Sequence, residues 1–430
     1  MSRLAEAAII LAAAGLAAFG VSLVNFAEGG SVDAQAALTF LVFSLAFGGL
    51  VVAIRAWAPA AVPFLIPLAA TLSAVGFVAV YRLDRDLADL QRWWLLTGSG
   101  LAVLALYVMR THGVDPLRRY RYLFLAAAVG LLLLPQLPTS GPLPLHGLVV
   151  NGSRLWVRFD VGLQIQFQPG EVAKLFLVVF LASFLAERQI ALSVSNRRLG
   201  RVRLPEPRQL TPVAIAWFAS FAVLVYQRDL GASLLLFGVF VVMLYMATNR
   251  AFYLATGLAM FGGGVVFAYI RYDHVQRRFW AWLDPWADYE GYGYQIAQGL
   301  FAMGSGSLSG SGLGLGRPDL IPAAATDFIF AVVAEEMGLA GSVVVIAAYA
   351  LLVATGFGIA LRSRDLFRKL LAAGLSFVLA FQTILILAGV TRLMPVTGIT
   401  LPFMSYGGSS LLSNFLLLAL LARVSHEERT

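Results

Sequence analysis

The sequence predicts an all-α, polytopic membrane protein of about twelve transmembrane helices. Two observations carry that reading. The 430 residues are 60% hydrophobic and only 13% charged, whereas soluble domains are roughly 45–50% apolar and about 25% charged. Apolar runs of about 20 residues also recur along the whole length, each long enough to cross about 30 Å of hydrocarbon. Backbone groups in lipid must be satisfied within the segment, so these runs are helices.

The runs follow in order. The first, 5–25, shows no small-residue cleavage site and is expected to be a retained span. The runs 36–56 and 60–80 come next. The pair 93–109 and 120–137 flanks a basic turn carrying Arg110, Arg118, Arg119 and Arg121. Pro169 suits the first turn of the span 170–186. Spans at 212–226, 230–248 and 251–270 follow, and 339–361, 370–390 and 407–423 complete the set. An even number of spans puts both termini on one side. With that threading, most of the 31 Lys and Arg residues lie in loops on the termini side, most densely in 187–211. The positive-inside rule then places both termini in the cytoplasm. The net charge of +8 reflects this loop bias and calls for no nucleic-acid partner. Cys is absent, which excludes disulfides, thiolate catalysis and Cys-ligated metal.

The polar chemistry falls on the other face, in loops 138–169, 271–325 and 391–406. The stretch "TDFIFAVVAEEMG" (326–338) places Asp327, Glu335 and Glu336 beside a very apolar run. Asp327 to Leu361 would span about 50 Å as one helix, well beyond the bilayer core. Gly338 is the natural break. A short helix over 327–337, surface-lying or re-entrant, is therefore expected before the true span. Such a segment survives at membrane depth only where protein or a wet cavity surrounds it.

Each polar group has a plain reading beside a functional one. Asp327 suits a helix N-cap, and so does Asp229 at the start of 230–248. Glu171 and Lys174 are i,i+3 and pair on one helix face, as a structural ion pair or as the charged wall of a cavity. Arg277 and Arg278 form a paired cation site within an aromatic stretch that also suits the headgroup belt. Tyr294 and Gln295 follow in that stretch as supporting residues. Glu335 and Glu336 point apart, so at least one should pair elsewhere, for example with an Arg. The glycine-rich "GSGSLSGSGLGLG" (304–316) lacks any dinucleotide or P-loop pattern. It reads as a flexible loop or as a backbone nest for an anion.

"FQPGEVAKL", "QRDLGASLLLFGVFV", "FWAWLDPWADYEGYGYQIAQGLFAMGSGSLSGSGLGLG", "TDFIFAVVAEEMGLAG" and "PVTGITLPFMSYGGSSLL" occur in this order. With them the chain, from about residue 60 to its end, resembles the SEDS family (shape, elongation, division and sporulation), the RodA/FtsW-like proteins. "GVTRLMPVTG" and "GLGLGRPDLIP" look more like the cell-elongation type than the cell-division type. The resemblance implies a peptidoglycan glycosyltransferase that polymerises lipid II on the outer face of the bacterial cytoplasmic membrane. It also implies a class B penicillin-binding protein, the transpeptidase, as partner. A family core of about ten spans makes residues 1–58 an added pair of helices and 59–430 the core, with the outer loop 271–338. The family's essential Asp falls on Asp327, and its Glu–Lys pair on Glu171 and Lys174. Gly170 stands where the family usually has Ser, and Ala325 where a His commonly precedes the Thr-Asp. On this resemblance Asp327 is the candidate base for the acceptor hydroxyl. Lys174, Arg277 and Arg278 are candidates for neutralising the pyrophosphate, and a divalent cation such as Mg or Mn is a candidate to share that role. A lipid II flippase and a non-catalytic scaffold are the alternatives.

Overall fold

A computed structural model describes residues 3–29, 34–139, 145–150, 153–161, 163–193, 197–199, 202–204 and 229–429. Helices dominate, as the apolar runs require. They are α1 (Arg3–Ala27), α2 (Ala34–Trp57), α3 (Leu65–Leu83), α4 (Arg85–Val108), α5 (Asp115–Arg119), α6 (Arg121–Leu133), α7 (Pro169–Ser193), α8 (Leu230–Thr248), α9 (Ala251–Arg271), α10 (Asp273–Leu283), α11 (Tyr294–Ser305), α12 (Ile329–Arg362), α13 (Leu366–Val390) and α14 (Gly408–Glu427). Among the described residues, nine helices are long and apolar enough to cross a membrane. The expected spans 93–109 and 120–137 are covered by α4, which opens on a polar turn, and by the shorter α6. The expected span 212–226 lies outside the described residues.

The chain forms two compact units. The first comprises 1–113, 274–359 and 379–430, and the second 114–273 with 360–378. In the first, α1 packs on α2 and α3, and α14 packs on α4. The stripe Ala14, Ala17, Val21 and Val24 of α1 is buried, whereas Leu11, Phe19 and Phe26 are exposed. That is a helical period with one face on protein and the other suited to lipid. Without a hydrophobic force between helices in lipid, close van der Waals packing of small residues drives their association, and Ala14 and Ala17 supply it here.

In the second unit α7 packs against α6 and α8, and α8 against α9. Most of α9 is uncovered, with only Tyr253, Gly257 and Ala268 buried. Loop 138–169 is more ordered than the sequence reading expects. It holds an antiparallel meander of β1 (Leu145–Val150), β2 (Ser153–Val161) and β3 (Leu163–Phe167). The signal for it in the sequence is the Asn151-Gly152 pair between β1 and β2, a strong hairpin dipeptide, although the strands are short beside the long helical runs. The basic segment 187–211 likewise continues α7 to Ser193 and forms the short hairpin β4 (Arg197–Leu199) and β5 (Val202–Leu204).

Gly338 breaks α12, with φ 67 and ψ −168 inside the helix. A broken helix orphans carbonyls on one side and N–H groups on the other. Here the glycine-rich segment satisfies both. The Ser311 and Gly312 N–H groups donate to the Glu335 and Glu336 carbonyls at 2.9 and 3.0 Å. Leu339 and Ala340 N–H donate to the Ser307 and Leu308 carbonyls at 2.9 and 3.1 Å. The expected flexible loop is thus a structural clasp around the break.

Candidate active site

Asp327 lies in a turn just before the first half of α12, which starts at Ile329 and not at residue 327. Three consecutive N–H groups, those of Thr326, Asp327 and Phe328, converge on the Ala323 carbonyl, where Ala323 is left-handed at φ 53. Asp327 therefore precedes the helix instead of occupying its first turn, and it is only half-buried. The segment 397–406 fastens this turn. Tyr406 N–H donates to the Ala325 carbonyl at 2.8 Å, and the Ser405 hydroxyl donates to the Thr326 carbonyl. Gln295, from α11, donates to the Pro322 carbonyl at 2.9 Å.

Arg278 joins the same place from α10. Its Nη1 donates to the Thr397 carbonyl at 3.2 Å. A methyl group built on Gly398 would lie 3.2 Å from Arg278 Nη2 and 3.8 Å from Asp327 Oδ2. The guanidinium and the carboxylate thus flank one backbone position. Arg277, about 100° further round the helix, is exposed, so the two arginines do not converge as a pair. Gly398 has φ 74, a conformation costly for any other residue. Gly398→Ala is expected to displace Arg278 and lower turnover about tenfold, at a stability cost of about 1–3 kcal/mol. Steady-state polymerisation together with thermal melting checks this.

The remaining expected residues divide between structure and surface. Tyr294 makes an edge contact with Tyr289, ring centroids 5.9 Å apart. Glu335 Oε1 accepts from Arg317 N–H at 2.9 Å, and Glu336 Oε2 from Gly314 N–H at 3.2 Å. The anion held by this backbone nest is the chain's own carboxylates. Glu336 also faces Arg82, its Oε1 3.4 Å from Nε, which is the arginine pairing expected of one of the two glutamates.

In the second unit, Lys174 Nζ and Glu171 Oε2 are 2.6 Å apart, with both residues buried. Asp229 is buried and caps α8, its Oδ1 accepting from Gly231 and Ala232 N–H at 2.8 and 3.1 Å. Removing one member of a buried pair costs about 3–5 kcal/mol, but replacing both costs far less. Lys174→Met should therefore be strongly destabilising, and Glu171→Gln/Lys174→Met should recover most of the loss in a thermal unfolding cycle.

Residue-by-residue reading missed Arg392. Its Nε donates to the Trp282 carbonyl at 2.8 Å and its Nη2 to that of Leu283 at 2.5 Å, while Trp282 Nε1 returns a bond to the Arg392 carbonyl at 3.1 Å. Ser405 and Tyr406 were also missed as individuals. The only signal was the Pro/Gly-broken character of their segment.

Among the described residues, nine apolar helices long enough to span a bilayer and a helix broken within enclosing protein define a polytopic membrane protein with a discontinuous helix. The particular family follows from comparison with known proteins. The family model FtsW/RodA/SpoVE, described as cell cycle protein, matches residues 38–430, and the chain belongs to that family. It is 41% identical over 399 residues to the peptidoglycan glycosyltransferase RodA of Mycobacterium tuberculosis strain H37Rv, covering 90% of this chain and 83% of that protein. It is 35% identical over 370 residues to stage V sporulation protein E of Bacillus subtilis, covering 85% and 94% respectively. Among solved structures, it resembles the rod shape determining protein RodA of Thermus thermophilus, with TM-score 0.58 and 27% identity over 85% of this chain and 97% of that one. It also resembles a chain of a peptidoglycan synthase complex described as coordinating polymerization and crosslinking, with TM-score 0.65 and 28% identity over the same shares.

Proposed function

We propose that this chain is a peptidoglycan glycosyltransferase that polymerises lipid II into glycan strands during cell-wall elongation. The observation that carries it is the half-buried Asp327 beside Arg278, in a chain 41% identical to proteins named for that activity. The attacking group is a sugar hydroxyl, too weak an acid to ionise at neutral pH. The leaving group is an anionic lipid pyrophosphate. Such a reaction needs a base at the hydroxyl and a cation at the pyrophosphate. Asp327 takes the proton of the acceptor GlcNAc 4-hydroxyl as its oxygen bonds to the donor's anomeric carbon. The bond from that carbon to the pyrophosphate oxygen breaks, and the lipid pyrophosphate leaves with the electron pair. Direct displacement inverts the anomeric carbon. Arg278 is the cation that this geometry favours.

Glu171 and Lys174 enter as supporting residues through the family motif. Among the described residues no group of three or more His, Asp or Glu side chains is arranged to hold a metal ion. A divalent cation such as Mg or Mn would be held by one or two carboxylates together with the substrate pyrophosphate, and no step is assigned to it. The Lys/Arg distribution supports cytoplasmic termini and an active site on the outer face of the cytoplasmic membrane. A class B penicillin-binding protein is the partner proposed, supported by the synthase complex among the structural relatives. Residues 1–58 are proposed as an addition to a core of 59–430. The family match, beginning at residue 38, leaves α1 outside it but takes in most of α2, so it supports only α1 as an addition.

The test is gel analysis of products from purified lipid II, with and without the cognate transpeptidase, beside a liposome assay for translocation. Polymer formation is expected. Translocation without polymer would establish a flippase, and transpeptidase binding with neither activity would establish a scaffold.

A further inference from the structure

Helix α1 lies outside the family-matched residues, yet its C-terminal end reaches the broken helix. Glu28 Oε1 is 3.3 Å from Arg82 Nη1, and Glu28 Oε2 is 2.7 Å from Arg85 Nη2. Asn25 Oδ1 accepts from the Tyr81 hydroxyl at 3.0 Å and from Arg85 Nη2 at 3.3 Å. Arg82 continues the chain of contacts. Its Nη2 donates to the Gly316 carbonyl at 3.3 Å, and its Nε faces Glu336 Oε1 at 3.4 Å. Those last two atoms are buried and make no hydrogen bond, so the contact between them is one of charge. Glu336 Oε2 is held by the Gly314 N–H, whereas its Oε1 faces one guanidinium, which α1 orients.

The same part of α12 is buried, and one of its flanks faces α1 and α3. A partly open groove runs along that flank, lined by Leu16, Phe19, Leu23, Val75, Val332 and Met337 among others. Side chains that line a groove lack protein contacts on that side. The half-helix 329–337 is short, and a helix of this length has little stability of its own. It is about 13 Å long, so a tilt of a few degrees at Glu336 moves its far end by about 1 Å. Asp327 stands at that far end.

We propose that α1 is a positioning element for the catalytic turn. Through Asn25 and Glu28 it sets Arg82, Arg82 sets Glu336, and the half-helix transmits that position to Asp327. This rests on the reading of Asp327 as the base. A misplacement of about 1 Å costs up to about 10²-fold in rate, so turnover is where the effect should appear.

The experiment compares full-length wild type with Glu28→Gln, Arg82→Lys and Arg82→Gln. It measures kcat and KM for lipid II, thermal melting, and amide hydrogen exchange of 307–317 and 329–340. Glu28→Gln is expected to lower kcat about threefold to tenfold and Arg82→Gln about 30-fold or more, within that 10²-fold ceiling. KM should stay within about twofold. Arg82→Lys should recover part of the loss, and exchange over 329–340 should quicken in step with it. Wild-type kcat and exchange in folded Glu28→Gln and Arg82→Gln would overturn the proposal, as would a loss confined to melting temperature. If Arg82→Gln does not fold, Glu28→Gln decides alone, since that carboxylate is 36% exposed. A wild type that makes no polymer would refute the glycosyltransferase reading, and the exchange comparison would still decide whether α1 holds the half-helix.

Discussion

Asp327→Asn is expected to lower lipid II polymerisation by about 10²–10⁴-fold, the range a general base contributes. Asparagine keeps the size of the side chain and its capacity to accept backbone hydrogen bonds. It loses the basicity and the negative charge that stands beside Arg278. The turn itself is built from main-chain bonds, those of residues 326–328 to the Ala323 carbonyl and that of Tyr406 to Ala325, and these do not involve the side chain. Melting temperature and yield should therefore match the wild type. Single-turnover assays on purified lipid II make the distinction sharp: the variant should bind substrate and form no strand. A wild-type rate would remove Asp327 from the role of base and return it to local structure.

Gly338→Ala should produce the largest structural effect. The backbone there, φ 67 and ψ −168, lies in a region that only glycine occupies readily, at a cost of about 1–3 kcal/mol for other residues. A Cβ at this position would also sit 2.3 Å from Gly310 N and 2.6 Å from the Leu308 carbonyl oxygen. Relief requires the glycine-rich clasp to withdraw. That endangers four backbone bonds across the break, each worth about 1 kcal/mol net. With all four bonds lost the summed destabilisation is about 5–7 kcal/mol, with activity lost alongside. Gly262→Ala is the control, because an added methyl there meets nothing within 4 Å in α9. In a helix interior it should gain about 0.5–1 kcal/mol. Thermal unfolding of the two variants side by side checks the contrast.

Much of the site is legible before any coordinates. The length from Asp327 to Leu361 exceeds a bilayer, and glycine at 338 is the place where it breaks. The i,i+3 spacing of Glu171 and Lys174 sets their pairing, observed at 2.6 Å. Asp before an apolar helical run caps it, as Asp229 does. These are local matters, decided within a few residues by hydrogen-bond stereochemistry and helix period.

Other features have no local signature. Arg278 and Arg277 are equivalent in sequence, and only the position of α10 turns one toward Thr397, 119 residues later in the chain, leaving the other exposed. Arg392 closes the end of α10 from 109 and 110 residues away. The partner of the glycine-rich segment, read from sequence as a possible external anion, is Glu335 and Glu336.

By itself, then, the sequence determined the membrane class, the helical runs and the break at Gly338, because hydropathy, helix period and glycine stereochemistry act over short stretches of chain. Tertiary structure alone decided which arginine accompanies Asp327, what fills the glycine clasp and that α1 reaches the broken helix. Those outcomes depend on how distant segments pack, and side-chain direction across such distances follows from the positions of whole helices.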